Sequence, residues 1–374
     1  CKFEETMKRL IVISAVNFRS GGPLFILHDF LNYLDTHLAN SYKIIALIHS
    51  KSIAPNTKNI SYIEFPKSAN SYLYRLYYEY FYFNKLSKKL KPYLWLSLHD
   101  ISPRVNSTIQ AVYCHNASPF YKPSKKNFFL SINFLIMNLL YKFIYKINIH
   151  RNNFVIIQQN WMKDEFQKMF DIKNIIVANP NIDISIPTNI KKDQKDKKVF
   201  FYPSFPRVFK NFEVICDAVS KIDEKYDDKF EVLLTIDGTE NKYAKMIYEK
   251  YKYLKNIKFI GLQSRKKVFE IYAQSDCLIF PSKLESWGLP ITEYKLFNKP
   301  ILAADLTYAY ETVGNYNKVN FFKPDDAQML SKYIVTFLEN KLIFAKHSAV
   351  KKSKLTVESW GQLCDILLNG GVNK

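Results

Sequence analysis

Short apolar runs and stretches of helical period alternate along almost the whole chain. In the first half, residues 10–16, 43–49, 94–98, 110–114 and 154–157 are dominated by Ile, Leu, Val and aromatic residues over the length of a strand. Such near-continuous apolar runs predict strands covered on both faces, as in parallel sheets. The pattern restarts after Pro180, with runs at residues 199–202, 230–236, 257–260, 277–280 and 300–303. Between these lie segments of helical period around residues 212–222, 242–253, 265–274 and 291–297. This is α/β organisation twice over, and it predicts two doubly wound, Rossmann-like domains facing across a cleft. Residues 181–198 contain Pro187 and a polar run without apolar period, which reads as a linker. The expected domains are therefore residues 7–180 and 199–374, with the last helix a candidate to cross back to the first domain. Met7 is read as the natural start, with residues 1–6 outside the fold.

Two turns stand out because the chain has only 9 glycines. Gly21 and Gly22 follow the first strand and precede Pro23, which suits the first position of a helix running to about Thr36. Backbone N–H groups at such a helix start can receive a phosphate or sugar oxygen. The same grammar recurs where the strand ending at Phe280 is followed by a loop with Glu285, Gly288 and Leu289, then by Pro290 and Glu293. A glycine here lets the backbone approach a ligand closely. Glu293 is expected in the first helical turn, at the cleft rather than in a core, where one carboxylate meets ribose hydroxyls and the other a sugar ring. After the first strand of the second domain, Arg207 and Lys210 are expected to face the cleft and to offset the charge of a diphosphate leaving group.

Composition narrows the partners. The 374 residues are 48% hydrophobic, which supplies a sizeable core and excludes disorder as the main state. The net charge is +20, and residues 1–180 hold 23 basic against 10 acidic groups. That excess suits a membrane surface, a sugar nucleotide or a nucleic acid. No nucleic-acid-binding motif appears and the basic groups are dispersed. Five cysteines lie far apart, with no CxxC pair, so neither a disulfide framework nor a zinc site is expected and a reducing cytosol is the simpler home. No signal peptide is recognised at the start. Residues 128–147 form the longest apolar stretch, but Ser131, Asn138, Lys142 and Lys146 fall near one line at helical spacing. With the aromatic run at residues 72–83 and the lysines that follow it, this reads as an interfacial amphipathic helix rather than a membrane span.

Together these pieces resemble the family-4 glycosyltransferases, retaining enzymes of the GT-B fold, from about Lys8 to Trp360. The most specific stretch is Phe280-Pro-Ser-Lys-Leu-Glu285-Ser-Trp-Gly288-Leu289-Pro-Ile-Thr-Glu293, with two glutamates separated by seven residues. Gly21-Gly22, His115 in Tyr-Cys-His-Asn-Ala-Ser-Pro-Phe, Arg207 with Lys210, and Ser359-Trp360 add to it. The resemblance implies that Glu285 contacts the donor sugar, Glu293 the ribose, Arg207 and Lys210 the diphosphate, Gly22 a phosphate and His115 the transferred sugar, with Gly288 and Leu289 at the donor. Two departures are visible. The Arg-to-Lys spacing is shorter than the common form, and the expected loop 305–314 carries Glu311 without the usual glycine pair.

The chain is thus expected to be a retaining glycosyltransferase that takes a nucleotide-diphosphate sugar and a glycan or polyprenyl-diphosphate-linked acceptor, in O-antigen or capsule synthesis. No cofactor is expected and transfer is expected to need no metal, since no Asp-x-Asp occurs and cations stand where a divalent ion would act. The expected location is the cytoplasm, peripheral on the inner membrane face and in contact with anionic lipid, without nucleic acid. The rival readings are a GT-B-fold nucleotide-sugar epimerase, which requires acid/base groups on both faces of the sugar, and a basic nucleic-acid binder.

Overall fold

The computed structural model describes residues 8–19, 21–121, 132–180, 197–350, 353 and 355–369. The chain divides into two compact units: residues 1–120, 137–182 and 352–374 form unit 1, and residues 121–136 and 183–351 form unit 2. The expected second domain, 199–374, ends in the helix that was a candidate to cross back. Its last residues belong to unit 1, where their apolar face finds its partner. The linker up to residue 196 and the amphipathic stretch up to residue 131 lie outside the described residues.

Unit 1 is an eight-stranded sheet of β1 (Arg9–Ser14), β2 (Tyr42–Ile48), β3 (Ile60–Glu64), β4 (Leu94–Ser97), β5 (Ile109–Tyr113), β6 (Phe154–Ile157), β7 (Ile175–Ala178) and β14 (Thr356–Val357). Its order is β14-β7-β6-β5-β4-β1-β2-β3, and every pairing is parallel. The helices are α1 (Gly21–His37), α2 (Pro66–Asn70), α3 (Tyr72–Tyr77), α4 (Phe83–Leu90), α5 (Ile132–Lys146), α6 (Asn160–Phe170) and α13 (Trp360–Asn369), with a π-helical turn at Tyr78–Tyr82 between α3 and α4. One core face joins Ile11, Leu27, Phe30 and Leu96 to Leu363 and Leu367 of α13. Trp360 fastens that helix to α1, donating from Nε1 to Asp29 Oδ2 at 2.6 Å while its ring lies 4.7 Å from Phe30.

Unit 2 is a six-stranded sheet of β8 (Lys198–Tyr202), β9 (Phe230–Leu234), β10 (Ile257–Phe259), β11 (Cys277–Phe280), β12 (Ile301–Ala304) and β13 (Val319–Phe322), in the order β10-β9-β8-β11-β12-β13. It is also wholly parallel. Its helices are α7 (Phe212–Val219), α8 (Lys242–Tyr251), α9 (Arg265–Gln274), α10 (Leu289–Lys295), α11 (Thr307–Val313) and α12 (Ala327–Leu338). The expected loop 305–314 is largely the helix α11, whose Tyr308, Ala309, Thr312 and Val313 are buried.

Both sheets reverse their winding direction beside their first strand: β1 lies between β2 and β4, and β8 between β9 and β11. Loops leaving the carboxyl ends of strands on either side of such a reversal diverge and open a crevice for ligands. Several of the residues singled out by sequence stand on those loops.

Candidate functional site

In unit 2, the loop after β8 carries Arg207 and Lys210, and the segment after β11 carries Glu285, Gly288, Leu289 and Glu293. Lys210 ends a 3-10 turn, Val208–Lys210, and Asn211 follows it in the left-handed conformation at φ 59°. Asn is among the few residues that accept this backbone readily. Both hydrogens of its side-chain amide are engaged as well, donating to the Pro281 carbonyl at 3.2 Å and the Pro324 carbonyl at 2.7 Å. Tyr202 donates from its hydroxyl to the Lys210 carbonyl at 2.8 Å. The turn is thereby held from three sides.

Lys210 Nζ lies 2.5 Å from Glu285 Oε1, with both side chains largely buried. The lysine expected to meet a diphosphate and the glutamate expected to meet a sugar are therefore one ion pair. An ammonium has three donors, so Lys210 can hold Glu285 and still offer a hydrogen to a phosphate oxygen. Arg207 is exposed and sits over the Phe209 ring, 6.0 Å from its centroid; among the described residues it has no ion pair. It remains available to an anion.

Gly288 caps α10 in the left-handed region at φ 88°. A Cβ there would meet neighbours only at 3.5 Å and beyond, so the backbone conformation rather than crowding calls for glycine. The helix begins at Leu289, with Pro290 second, one residue earlier than the Pro290 start expected from sequence. In unit 1, α1 likewise begins at Gly21, two residues before Pro23, and the left-handed glycine is Gly21 at φ 73° rather than Gly22. Both prolines occupy early helical positions where a missing N–H costs nothing.

Glu293 stands elsewhere than expected. It is the fifth residue of α10, past the first turn, and only 4% exposed. Arg265 Nη2 lies 2.9 Å from its Oε1, and the Tyr272 hydroxyl donates to Oε2 at 3.0 Å. Burial pushes the Glu293 carboxyl above the ordinary carboxylate range, against the lowering effect of Arg265 and Tyr272. Arg265 and Tyr272, both on α9, were not singled out in the sequence, because their link to Glu293 arises only from the packing of α9 against α10. Glu293→Ala is expected to reduce stability by roughly 2 kcal/mol, through the cavity left and the unpartnered Tyr272 hydroxyl. Glu293→Gln is expected to cost less than half of that. Urea unfolding of the two variants checks this, and a small, equal effect of both would contradict it.

In unit 1, His115 follows β5 and stacks on Tyr113, with ring centroids 4.4 Å apart and Phe18 edge-on at 5.7 Å. Its ring bonds the Leu98 backbone, while Nε2 has no partner among the described residues. Burial holds the imidazole below its ordinary pKa despite Asp100 nearby. A neutral ring whose other nitrogen bonds the backbone presents Nε2 as an acceptor for a hydroxyl. Asp100, after β4, is the residue that sequence reasoning missed. Its Oδ1 accepts from His115 N at 2.6 Å, Asn116 N at 3.0 Å and the Tyr145 hydroxyl at 2.9 Å. The signal was a polar His99-Asp100 pair directly after a buried strand.

Among the described residues no cluster of His, Cys, Asp or Glu is placed to hold a metal ion, and no helix is long and apolar enough to cross a membrane.

A chain of two parallel-sheet, Rossmann-like units with these loops has the α/β architecture of the GT-B fold, and solved structures agree. WaaG, described as a glycosyltransferase involved in lipopolysaccharide biosynthesis, is similar with a TM-score of 0.64 at 13% identity, covering 88% of this chain and 90% of its own. HepE from Anabaena, solved in complex with UDP-glucose, is similar with a TM-score of 0.60 at 16% identity and coverages of 88% and 90%. Within the sequence, residues 184–354 match the family of glycosyl transferases group 1. The O-antigen chain mannosyltransferase RfbU of Salmonella typhimurium is 21% identical over 223 residues, 58% of this chain, and the match spans 57% of that relative's length.

Proposed function

We propose that the protein is a retaining glycosyltransferase that moves a sugar from a nucleotide-diphosphate donor to a hydroxyl of a glycan or polyprenyl-diphosphate-linked acceptor in surface-polysaccharide synthesis. The observation that carries the reading is the Lys210–Glu285 pair beside Arg207, on the two loops that flank the strand reversal of unit 2. The group 1 match covers this same unit, HepE was solved with a nucleotide sugar, and RfbU is an O-antigen chain mannosyltransferase.

In this reading Arg207 and Lys210 donate to the diphosphate and offset the negative charge that grows as the sugar departs. That supply of charge is the basis for proposing metal-independent transfer. Glu285, held by Lys210, faces the sugar, and Gly288 and Leu289 bring backbone to the donor. Glu293 takes the ribose while Arg265 fixes its carboxylate. In unit 1 the neutral Nε2 of His115 accepts from a sugar hydroxyl, and Gly22 stands at a phosphate.

The protein is further proposed to work as a peripheral protein on the inner membrane face. In α5 the polar line is turned partly inward, with Asn138 only 4% exposed, while Leu139, Leu140 and Phe143 point outward. Tyr72, Leu73, Tyr77 and Phe81 are exposed as well, and exposed Lys85, Lys88, Lys89 and Lys91 follow in the chain. Apolar and aromatic side chains beside lysines suit an anionic bilayer surface.

Calorimetric titration with UDP, GDP and dTDP is expected to find saturable binding of one of them, weakened about tenfold, or roughly 1.4 kcal/mol, by Arg207→Ala. NMR of the product is expected to show the donor's anomeric configuration, with transfer persisting in a chelator. An inverted product, or activity lost to chelation and restored by a divalent ion, overturns the mechanism.

A further inference from the structure

Unit 1 holds a cavity of about 310 Å³ that has no part in the roles assigned above. Asn17 and Arg19 line it from the loop after β1, Ser71, Tyr72 and Arg75 from the start of α3, and Tyr141 from α5. It therefore presents two guanidinium groups, and no carboxylate lies among its described lining residues. Arg75 is built into the fold. It is only 5% exposed, and its Nη2 donates to the His99 carbonyl at 3.0 Å. With the Asn17 amide oriented so that both groups are satisfied, its oxygen accepts from Nη1 and Nη2 at 3.1 Å. Arg75 Nε is buried without a partner among the described residues. The carboxylate one turn along, Glu79, is fully buried with Oε1 3.0 Å from His99 Nε2 and makes no direct ion pair with Arg75, whose side chain also shares a hydrogen bond with Tyr141.

A buried guanidinium that keeps a spare Nε donor and has no carboxylate within ion-pair distance among the described residues gains from an anion that completes it. The planar fork of arginine is matched by the oxygens of a phosphate group. The surroundings narrow the anion further. Tyr72, a wall of the cavity, is itself 62% exposed and continues into exposed Leu73 and Tyr77. Tyr141, another lining residue, lies on the helix that exposes Leu139, Leu140 and Phe143. A cationic pocket whose walls run out into two apolar helix faces fits a molecule that is anionic at one end and hydrocarbon at the other.

We propose that this cavity seats the phosphate or diphosphate head of a lipid-linked acceptor, with its hydrocarbon chain lying along the exposed faces of α3 and α5. The word acceptor rests on the glycosyltransferase reading; the recognition of a phosphorylated amphiphile rests on the cavity alone.

The test is calorimetric titration of the whole chain with farnesyl diphosphate and with inorganic pyrophosphate, in the parent and in Arg19→Gln and Arg75→Lys. Farnesyl diphosphate is expected to bind at least tenfold more tightly than pyrophosphate. Each substitution is expected to weaken it about tenfold or more, and nucleoside diphosphate binding is expected to stay within twofold. Arg19 is exposed, so Arg19→Gln carries the test even if Arg75→Lys fails to fold. Unchanged farnesyl diphosphate affinity in Arg19→Gln overturns the site, and equal affinity for pyrophosphate overturns the amphiphile. Full competition by phosphatidylglycerol vesicles overturns the acceptor assignment in favour of bulk membrane lipid. Absence of any nucleoside diphosphate binding, with farnesyl diphosphate still bound, refutes the glycosyltransferase reading and leaves the cavity assignment supported.

Discussion

Alanine in place of Lys210 is expected to lower kcat/KM for sugar transfer by roughly 10²–10³-fold, the usual loss when one charge-stabilising group is removed from a site that excludes water. The fold is expected to survive. What anchors the turn is the Lys210 carbonyl, bonded by Tyr202, and the side chain of Asn211, and neither is touched by the substitution. Because Lys210 and Glu285 are joined, single variants cannot separate a lysine that only positions Glu285 from one that also meets the diphosphate. The double variant can. If Lys210 only positions the carboxylate, adding Lys210→Ala to Glu285→Ala costs nothing more. The proposed role predicts a further loss of about tenfold, seen also as weaker binding of the nucleoside diphosphate product. Lys210→Arg is expected to rescue little, since a planar fork does not reproduce a compact ammonium held by one carboxylate oxygen.

The fold was legible in the sequence at most strands that are buried on both faces, since each then reads as an apolar run. β1, β2, β4, β5, β6, β8, β9, β10, β11 and β12 were all found from apolar runs. The strands that escaped carry weaker local signals. β3 mixes Ile60, Tyr62 and Ile63 with polar Ser61 and Glu64 at an edge of its sheet, β13 interposes Asn320 in a four-residue edge strand, and β14 is two residues paired with β7, well over a hundred positions earlier. β7, by contrast, has a fully apolar run, Ile175–Ala178, as clear as that of the equally short β6, and it was passed over. Helix α11 was taken for a loop because its seven residues hold too few apolar positions to show a period, and packing in unit 2 supplies what the pattern lacks.

That most of the candidate positions sit on loops after strands was legible. Partnerships were not. Lys210 and Glu285 are 75 positions apart, and Glu293 is joined to Tyr272 across 21. Those links depend on how α9, α10 and the β8 loop are brought together around the strand reversal, which no local pattern encodes. The depth of Glu293 was misjudged for the same reason. A carboxylate near the start of a short helix looks like a surface group until a second helix with an arginine is laid beside it.

The same kind of partnership in unit 1 carries the largest expected effect on stability. Asp100 adopts the left-handed conformation at φ 70° and is only 8% exposed. Its single oxygen Oδ1 gathers the N–H groups of His115 and Asn116 and the hydroxyl of Tyr145. Asp100→Ala removes all three bonds. Tyr145 keeps a partner in the Asn116 carbonyl at 3.0 Å, so the main damage is two N–H groups left without their acceptor. At about 1–3 kcal/mol for each such group, and roughly 1 kcal/mol more for alanine in left-handed backbone, the loss is expected to be about 4 kcal/mol. That is a large share of the net stability of a folded domain. Asp100→Asn keeps an oxygen in the same place and tolerates the same φ, so it is expected to cost only about 1 kcal/mol. Activity is expected to follow the same order, because the bonds that Asp100 receives set the loop that carries the His115 ring against Tyr113. Denaturant unfolding of the three proteins, with transfer assayed on the folded fraction, decides the matter. An alanine variant within about 1 kcal/mol of the parent shows that the His115 loop is held by something other than this carboxylate.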